Sequence, residues 1–215
     1  MPWASDRCAA TVAFAAIVLR ATSALGADDD PSHGRLEGDL AVVAGAGVAA
    51  VSGGARAAAE VRLRYLETAG VFATYEDGPL TGSGPEPIRV LATGLELRPL
   101  FLFRWLKGLE TSRARMDLAV DSMGLELGAV FLQPSGGAFA SIPGLEVGLG
   151  VELPILSRAS GPWIGFHGGL RWSDQALGSG QIRGPDDRSA YLALTLAWHQ
   201  MIVVHAVDAG DRAPY

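Results

Sequence analysis

Between residues 145 and 156 the chain reads LEVGLGVELPIL, setting Leu145, Val147, Leu149, Val151 and Leu153 against Glu146, Gly148, Gly150 and Glu152. A period of two is the signature of a strand whose two faces meet different surroundings. The same period runs through RLEGDLAVVAGAGVAAV (35–51), AAAEVRLRYLETAGVFATYE (57–76), IRVLATGLELR (88–98), WIGFHGGLRW (163–172) and AYLALTLAWH (190–199). Within MDLAVDSMGLELGAVF (116–131) the apolar parity moves from Leu118 and Val120 to Met123, Leu125 and Leu127. That shift predicts a strand carrying a bulge near Asp121 and Ser122. At ETAG (67–70) the segment 57–76 either continues as one long strand or folds into a hairpin through a tight turn, and the turn is the favoured reading. The pattern amounts to about eight strands of about ten residues each.

Glycine, proline and serine concentrate between these segments, at 52–55, 76–87, 132–144, 157–162 and 173–187. Such connectors are hairpin and loop chemistry. The predicted fold is all-β, an antiparallel up-and-down barrel of about eight strands over residues 35–205. A short segment (27–34) precedes it and a tail (206–215) follows. No composition shift marks a second domain. PLFLFRWLKGLE (99–110) departs from the alternation: Pro99 suits the opening of a helical turn. Its aromatics beside Arg104 and Lys107 suit a segment lying at a lipid headgroup boundary, and a strand end with a packed turn is the alternative.

The polar parity holds glycine and charges of both signs: Glu60, Arg62, Arg64, Glu96, Arg98, Glu126, Glu146, Glu152 and Arg171, with His167 and His199. A narrow closed barrel accepts small residues and mutually paired charges in its interior. Unpaired, each buried charge would cost several kcal/mol, so this reading requires cross-strand Glu–Arg pairing. The aliphatic parity would then face outward, with Tyr65, Trp105, Trp172 and Trp198 toward strand ends as an interfacial girdle. Most other aromatics share that parity, Phe101 and Phe103 among them, while Phe72, Trp163 and Tyr191 take the other. Two alternatives differ in orientation or class. One is a soluble periplasmic barrel or sandwich with the leucines round a small apolar ligand. The other is an apolar helix over LAVVAGAGVAAVSGGA (40–55).

Composition narrows the setting. Of 215 residues 49% are hydrophobic, the formal charge is -6, and Lys107 is the one lysine. An acidic chain without a basic stripe argues against a nucleic-acid partner. Arg7, the apolar run CAATVAFAAIVL (8–19) and the small residues Ala24 and Gly26 read as an export signal over residues 1–26, cut between Ala24 and Ala27. The run is too short to span a bilayer as a helix. Cys8, the one cysteine, lies inside it, so disulfides are not expected in the exported chain.

On the export signal, the alternation and the Gly/Glu–Arg faces, the chain resembles the small outer-membrane β-barrel proteins of Gram-negative bacteria. The resemblance covers roughly residues 35–205 and carries no sharp motif. It implies residence in the outer membrane, with outer-membrane lipid as the surrounding partner and a monomer as the working unit. That class includes structural anchors, adhesion or resistance factors, narrow pores and a few lipid-modifying enzymes. Among the last, lipid A deacylase barrels use a serine close to a histidine on a late strand. LAWHQMIVVHA (196–206) has no such serine.

Candidate chemistry is sparse. The histidines are His33, His167, His199 and His205, and no HxxxH or HExxH spacing occurs. His167 and His199, on neighbouring strands, read as hydrogen-bonding residues of the interior. GAGVAA (45–50) lacks the strand–turn–helix setting of a dinucleotide fingerprint. No cofactor, metal or catalytic residue is expected. The expected role is structural or surface-binding through the loops 76–87, 132–144 and 173–187, over a narrow or closed lumen.

Overall fold

The computed structural model describes residues 32–81, 87–111, 113–180 and 187–204. The expected leader and C-terminal tail, and His205, lie outside the described residues. Eight antiparallel strands follow one another round a closed barrel, and the last pairs with the first. They are β1 (Leu40–Val51), β2 (Gly54–Tyr65), β3 (Ala69–Thr81), β4 (Arg89–Leu97), β5 (Gly124–Gln133), β6 (Gly144–Pro154), β7 (Gly161–Trp172) and β8 (Arg188–Ile202). Short helices α1 (Leu100–Lys107) and α2 (Ala114–Asp121) join β4 to β5, and α3 (Asp174–Ser179) lies between β7 and β8. Closure removes the unpaired edges that an open sheet would present.

Strand β1 starts five residues later than the alternation suggests. His33 and Gly34 take positive φ (53° and 83°), which turns the chain before it enters the sheet. The predicted hairpin in 57–76 is present: β2 ends at Tyr65 and β3 begins at Ala69. Leu66 and Glu67 both take positive φ in the turn between them. The apolar helix considered over 40–55 is replaced by β1, a two-residue turn and the start of β2. No described helix is long and apolar enough to cross a membrane.

The bulged strand expected from 116 is a correction. Residues 114–121 form α2, and β5 begins only at Gly124. The parity shift at Asp121 and Ser122 marks a helix-to-strand junction. Met116, Leu118 and Val120 imitate a strand for three positions, but Asp117 and Asp121 are four residues apart and both are buried on one helical face. The irregularity in the ladder lies elsewhere, between Ala55 and Ala57 on β2.

The two faces part cleanly. Leu95, Leu149, Leu192 and Leu196 are exposed by 65%, 63%, 60% and 60% on the outer wall. Glu152, Arg62, Arg64, Glu146 and His199 are exposed by no more than 1%. The charges, together with inward apolar residues such as Phe72, Val90, Val130 and Trp163, therefore fill the interior and the aliphatics form the surface, the reverse of a soluble sandwich. The arrangement that gathers the leucines round a cavity is excluded by these faces.

Candidate functional site: a charge-filled lumen and an apolar cleft

All eleven polar residues singled out in the sequence lie buried within the barrel. They arrive there because even-numbered residues of β2, β3, β4, β5, β6 and odd-numbered residues of β7 and β8 point inward.

At mid-height, Glu96 and Glu126 face each other directly across the β4–β5 ladder. Two carboxylates in that relation repel. Arg62 resolves the repulsion from β2: its guanidinium donates to Glu126 at 2.6 Å, to Glu96 at 3.1 Å and to Glu60 at 2.8 Å. His167 Nδ1 sits 3.1 Å from the same guanidinium and 2.9 Å from Glu126. The imidazole thus accepts from Arg62 in one tautomer or donates to Glu126 in the other. Thr195 donates its hydroxyl to Glu60.

Toward the end where β1 starts and β8 finishes, hereafter the terminal end, Glu152 is the hub. It accepts from Arg64 at 2.9 Å and from Arg98 at 2.6 Å, and His199 Nε2 lies 3.3 Å from it. Arg64 and Arg98 both also donate to Glu96. The His199 ring is stacked on Trp163, 4.5 Å between centroids and 8° from parallel. Toward the far end, Arg171 joins Glu146 (2.5 Å) to Glu76 (2.7 Å) and lies 3.8 Å over the Tyr191 ring. Arg56 completes this layer by donating to Glu76 at 2.8 Å.

Arg56 and Glu76 belong to the network although the turn-forming residues around them assign them to a turn and a loop boundary. Each continues the inward parity of its strand by one or two steps, and that continuation was the available signal. Glu67, in the β2–β3 turn, adds a further carboxylate beside Arg98. Seven buried glutamates (60, 67, 76, 96, 126, 146 and 152) thus face five buried arginines (56, 62, 64, 98 and 171). His167 and His199 stand against the surplus acids.

Inward glycines make the room. A Cβ on Gly150 would lie 2.6 Å from His167 Nδ1, and one on Gly165 would lie 2.5 Å from the Thr195 hydroxyl. One void in the charged section, beside Thr74, Glu76, Arg171 and Tyr191, has a volume of about 20 Å³. That is enough for about one water molecule.

A second network closes the terminal end. Arg35 donates to Asp121 and to Glu110, and packs 4.1 Å over the Phe101 ring. Arg104 donates to Asp117 at 2.7 Å and to Asp121 at 2.6 Å. Asp117 also accepts from the Thr111 amide and hydroxyl, and His33 lies 3.4 Å away. Burial pushes the Asp117 carboxyl up, but the Thr111 and Arg104 donors outweigh it and hold the group below its usual range. Phe101, expected outward, is buried beneath Arg35, because it lies on the inner face of a helix where strand parity has no meaning.

The four aromatics expected at strand ends divide. Tyr65 is exposed at the end of β2, and Trp172 and Trp198 are half-buried on the outward parity of β7 and β8. Trp105 is corrected: it is exposed, but on α1 rather than on a strand.

The far end carries a cleft of about 490 Å³. Val130, Leu132, Pro134, Ala140 and Ile142 supply an apolar wall, and Ser173, Asp174, Gln175 and Asp187 a polar one. Helix α3 places the polar wall: Ser173 caps it by accepting from the Ala176 amide and donates its hydroxyl to Asp187. Among the described residues no group of three histidine, cysteine or acidic side chains converges as a metal site would require.

No family model and no curated protein matches the chain. Among solved structures, Neisserial surface protein A is similar, with 13% identity over 74% of this chain and 96% of that one, at a TM-score of 0.38.

Proposed function

We propose that this chain is an outer-membrane barrel with a closed lumen, whose role is structural or surface-binding and is exercised at the far end. One observation carries the reading: a closed barrel wearing an aliphatic coat from Val61 and Leu63 on β2 round to Leu192 and Leu196 on β8. Soluble monomers rarely expose contiguous apolar surface beyond a few hundred Å². In a bilayer the same coat meets acyl chains, and closure of the ladder from β1 to β8 leaves no open sheet edge to lipid. Strands of 9 to 15 residues are long enough for a tilted crossing. The terminal end of the barrel would face the periplasm and the far end the outside.

The cleft of about 490 Å³ is the place where the far end could hold a partner, since its volume is that of a small-molecule site. An apolar wall facing hydroxyl, amide and carboxylate groups suits an amphiphile with a greasy tail and a cationic or hydrogen-bonding head. Membrane fractionation with gel migration before and after heating tests the reading. The chain should partition with outer membranes and shift its mobility on boiling. Recovery from the periplasm without detergent would overturn it. For the cleft, Ile142→Asp should abolish binding of an amphiphile while leaving the heat shift intact.

A further inference from the structure

The connector between β4 and β5 combines three features that the barrel itself does not need. It leaves the sheet at Leu97 and re-enters at Gly124, so it is continuous with the lower edge of the aliphatic coat, where Leu97, Met123 and Leu125 are exposed. Its own outer surface is apolar and aromatic: Phe103, Trp105, Leu106, Leu109 and Met116 are all exposed, Leu106 by 71%. Its charges are sorted by sign. The acids Glu110, Asp117 and Asp121 are turned inward and held by Arg35 and Arg104. Lys107, Arg113 and Arg115 are exposed.

The result is a greasy surface edged with cations, with the neighbouring acids already engaged. Water alone gives no reason for that sorting. A layer of anionic headgroups above acyl chains does: the aromatics and leucines enter the boundary, and the cations meet phosphates. We propose that the α1–α2 connector is a docking surface for anionic phospholipid at the membrane boundary on the terminal side. The proposal rests on the membrane-barrel reading and adds a lipid preference to it. Association with an anionic surface should depend on salt, because exposed charges are screened over roughly 10 Å at 0.1 M.

The test uses the full-length protein in vesicles, with quenching of tryptophan fluorescence by brominated lipid. The Trp105 signal is taken as the difference between the native protein and Trp105→Phe. Trp198 and Trp172, on the outer wall, serve as internal controls. Brominated phosphatidylglycerol should quench Trp105 in preference to brominated phosphatidylcholine. Each of Lys107→Gln, Arg113→Gln and Arg115→Gln should lower that preference by roughly fivefold. The triple variant should show none, and about 0.5 M salt should have the same effect. Equal quenching by both lipids in the native protein would overturn the proposal. So would a Trp105 shielded from both while Trp198 is quenched, the result expected if a protein partner or a second copy covered the connector. If no tryptophan is quenched and the protein does not float with the vesicles, the barrel reading itself fails.

Discussion

At the scale of single residues, the lumen is stable only as a set. Glu152 accepts from two arginines inside the barrel. Removing one partner of a buried pair leaves an uncompensated charge, which costs about 3–5 kcal/mol. Glu152→Leu should therefore lower stability by about that amount in denaturant titrations of the detergent-solubilised protein. Adding Arg98→Met should cost less than Arg98→Met does alone, because the Arg98–Glu152 pair is already gone and only Glu96 and Glu67 are left for Arg98 to hold. Fully additive losses would show that the two residues do not act together. Space is as constraining as charge. In Gly150→Ala the new methyl would meet the His167 ring, which is already held between Arg62 and Glu126. A cost of about 1–3 kcal/mol is expected, as for other insertions into packed interiors. Both positions were legible in the sequence, because a strand face carrying only glycine and glutamate suits a crowded interior of paired charges and not a solvated wall.

At the scale of elements, the strands were legible and the connector was not. Alternation over ten residues has one physical meaning, and all eight strands follow from it. The helices are too short for a 3.6-residue period to declare itself. In α2 the alternating Met116, Leu118 and Val120 were the louder signal, and the pair Asp117 and Asp121 was the true one. The partners of that pair, Arg35 and Arg104, come from distant or irregular segments, so no local pattern could have supplied them. Their importance can be measured. The Asp117 carboxyl is held below its usual range, so its ionised form is the one the folded connector favours. Its contribution is then complete above the unfolded value of about 3.9 and fades only as pH falls through the lower, folded value. Limited proteolysis between α1 and α2 should stay slow from neutral pH down to about 4, then accelerate. Asp117→Asn should be cut faster already at neutral pH and should lose most of the acid-dependent change. Equal cleavage of native and variant protein would show that Asp117 does not hold the connector.

At the scale of the whole molecule, the division of faces constrains what the barrel can conduct. Eight strands enclose a space that side chains can fill, whereas wide aqueous channels are built from roughly 16–18 strands. Here the filling consists of long charged side chains bound to one another from opposite walls. Arg62 of β2 reaches Glu126 of β5, and Arg64 of β2 reaches Glu152 of β6. An ion crossing the lumen would have to break several such pairs at once, each in a poorly solvated setting. The mid-lumen void of about 20 Å³ has room for about one water and not for a file of them. Arg35, Phe101 and Leu118 close the terminal end as a second barrier. The purified protein in planar bilayers should therefore show no steady conductance. Replacing Arg62, Glu60, Glu126 and Glu96 together by glycine would clear the middle of the barrel, and Arg64 and Arg98 would keep Glu152 as their partner. If the variant still folds, as judged by its heat-dependent gel mobility, it should admit small ions only when Arg35 is also replaced, because the terminal network stands in series with the lumen. Stepwise ohmic conductance from the native protein would mean that the pairs exchange partners fast enough to pass ions, and the closed-lumen reading would fall with it.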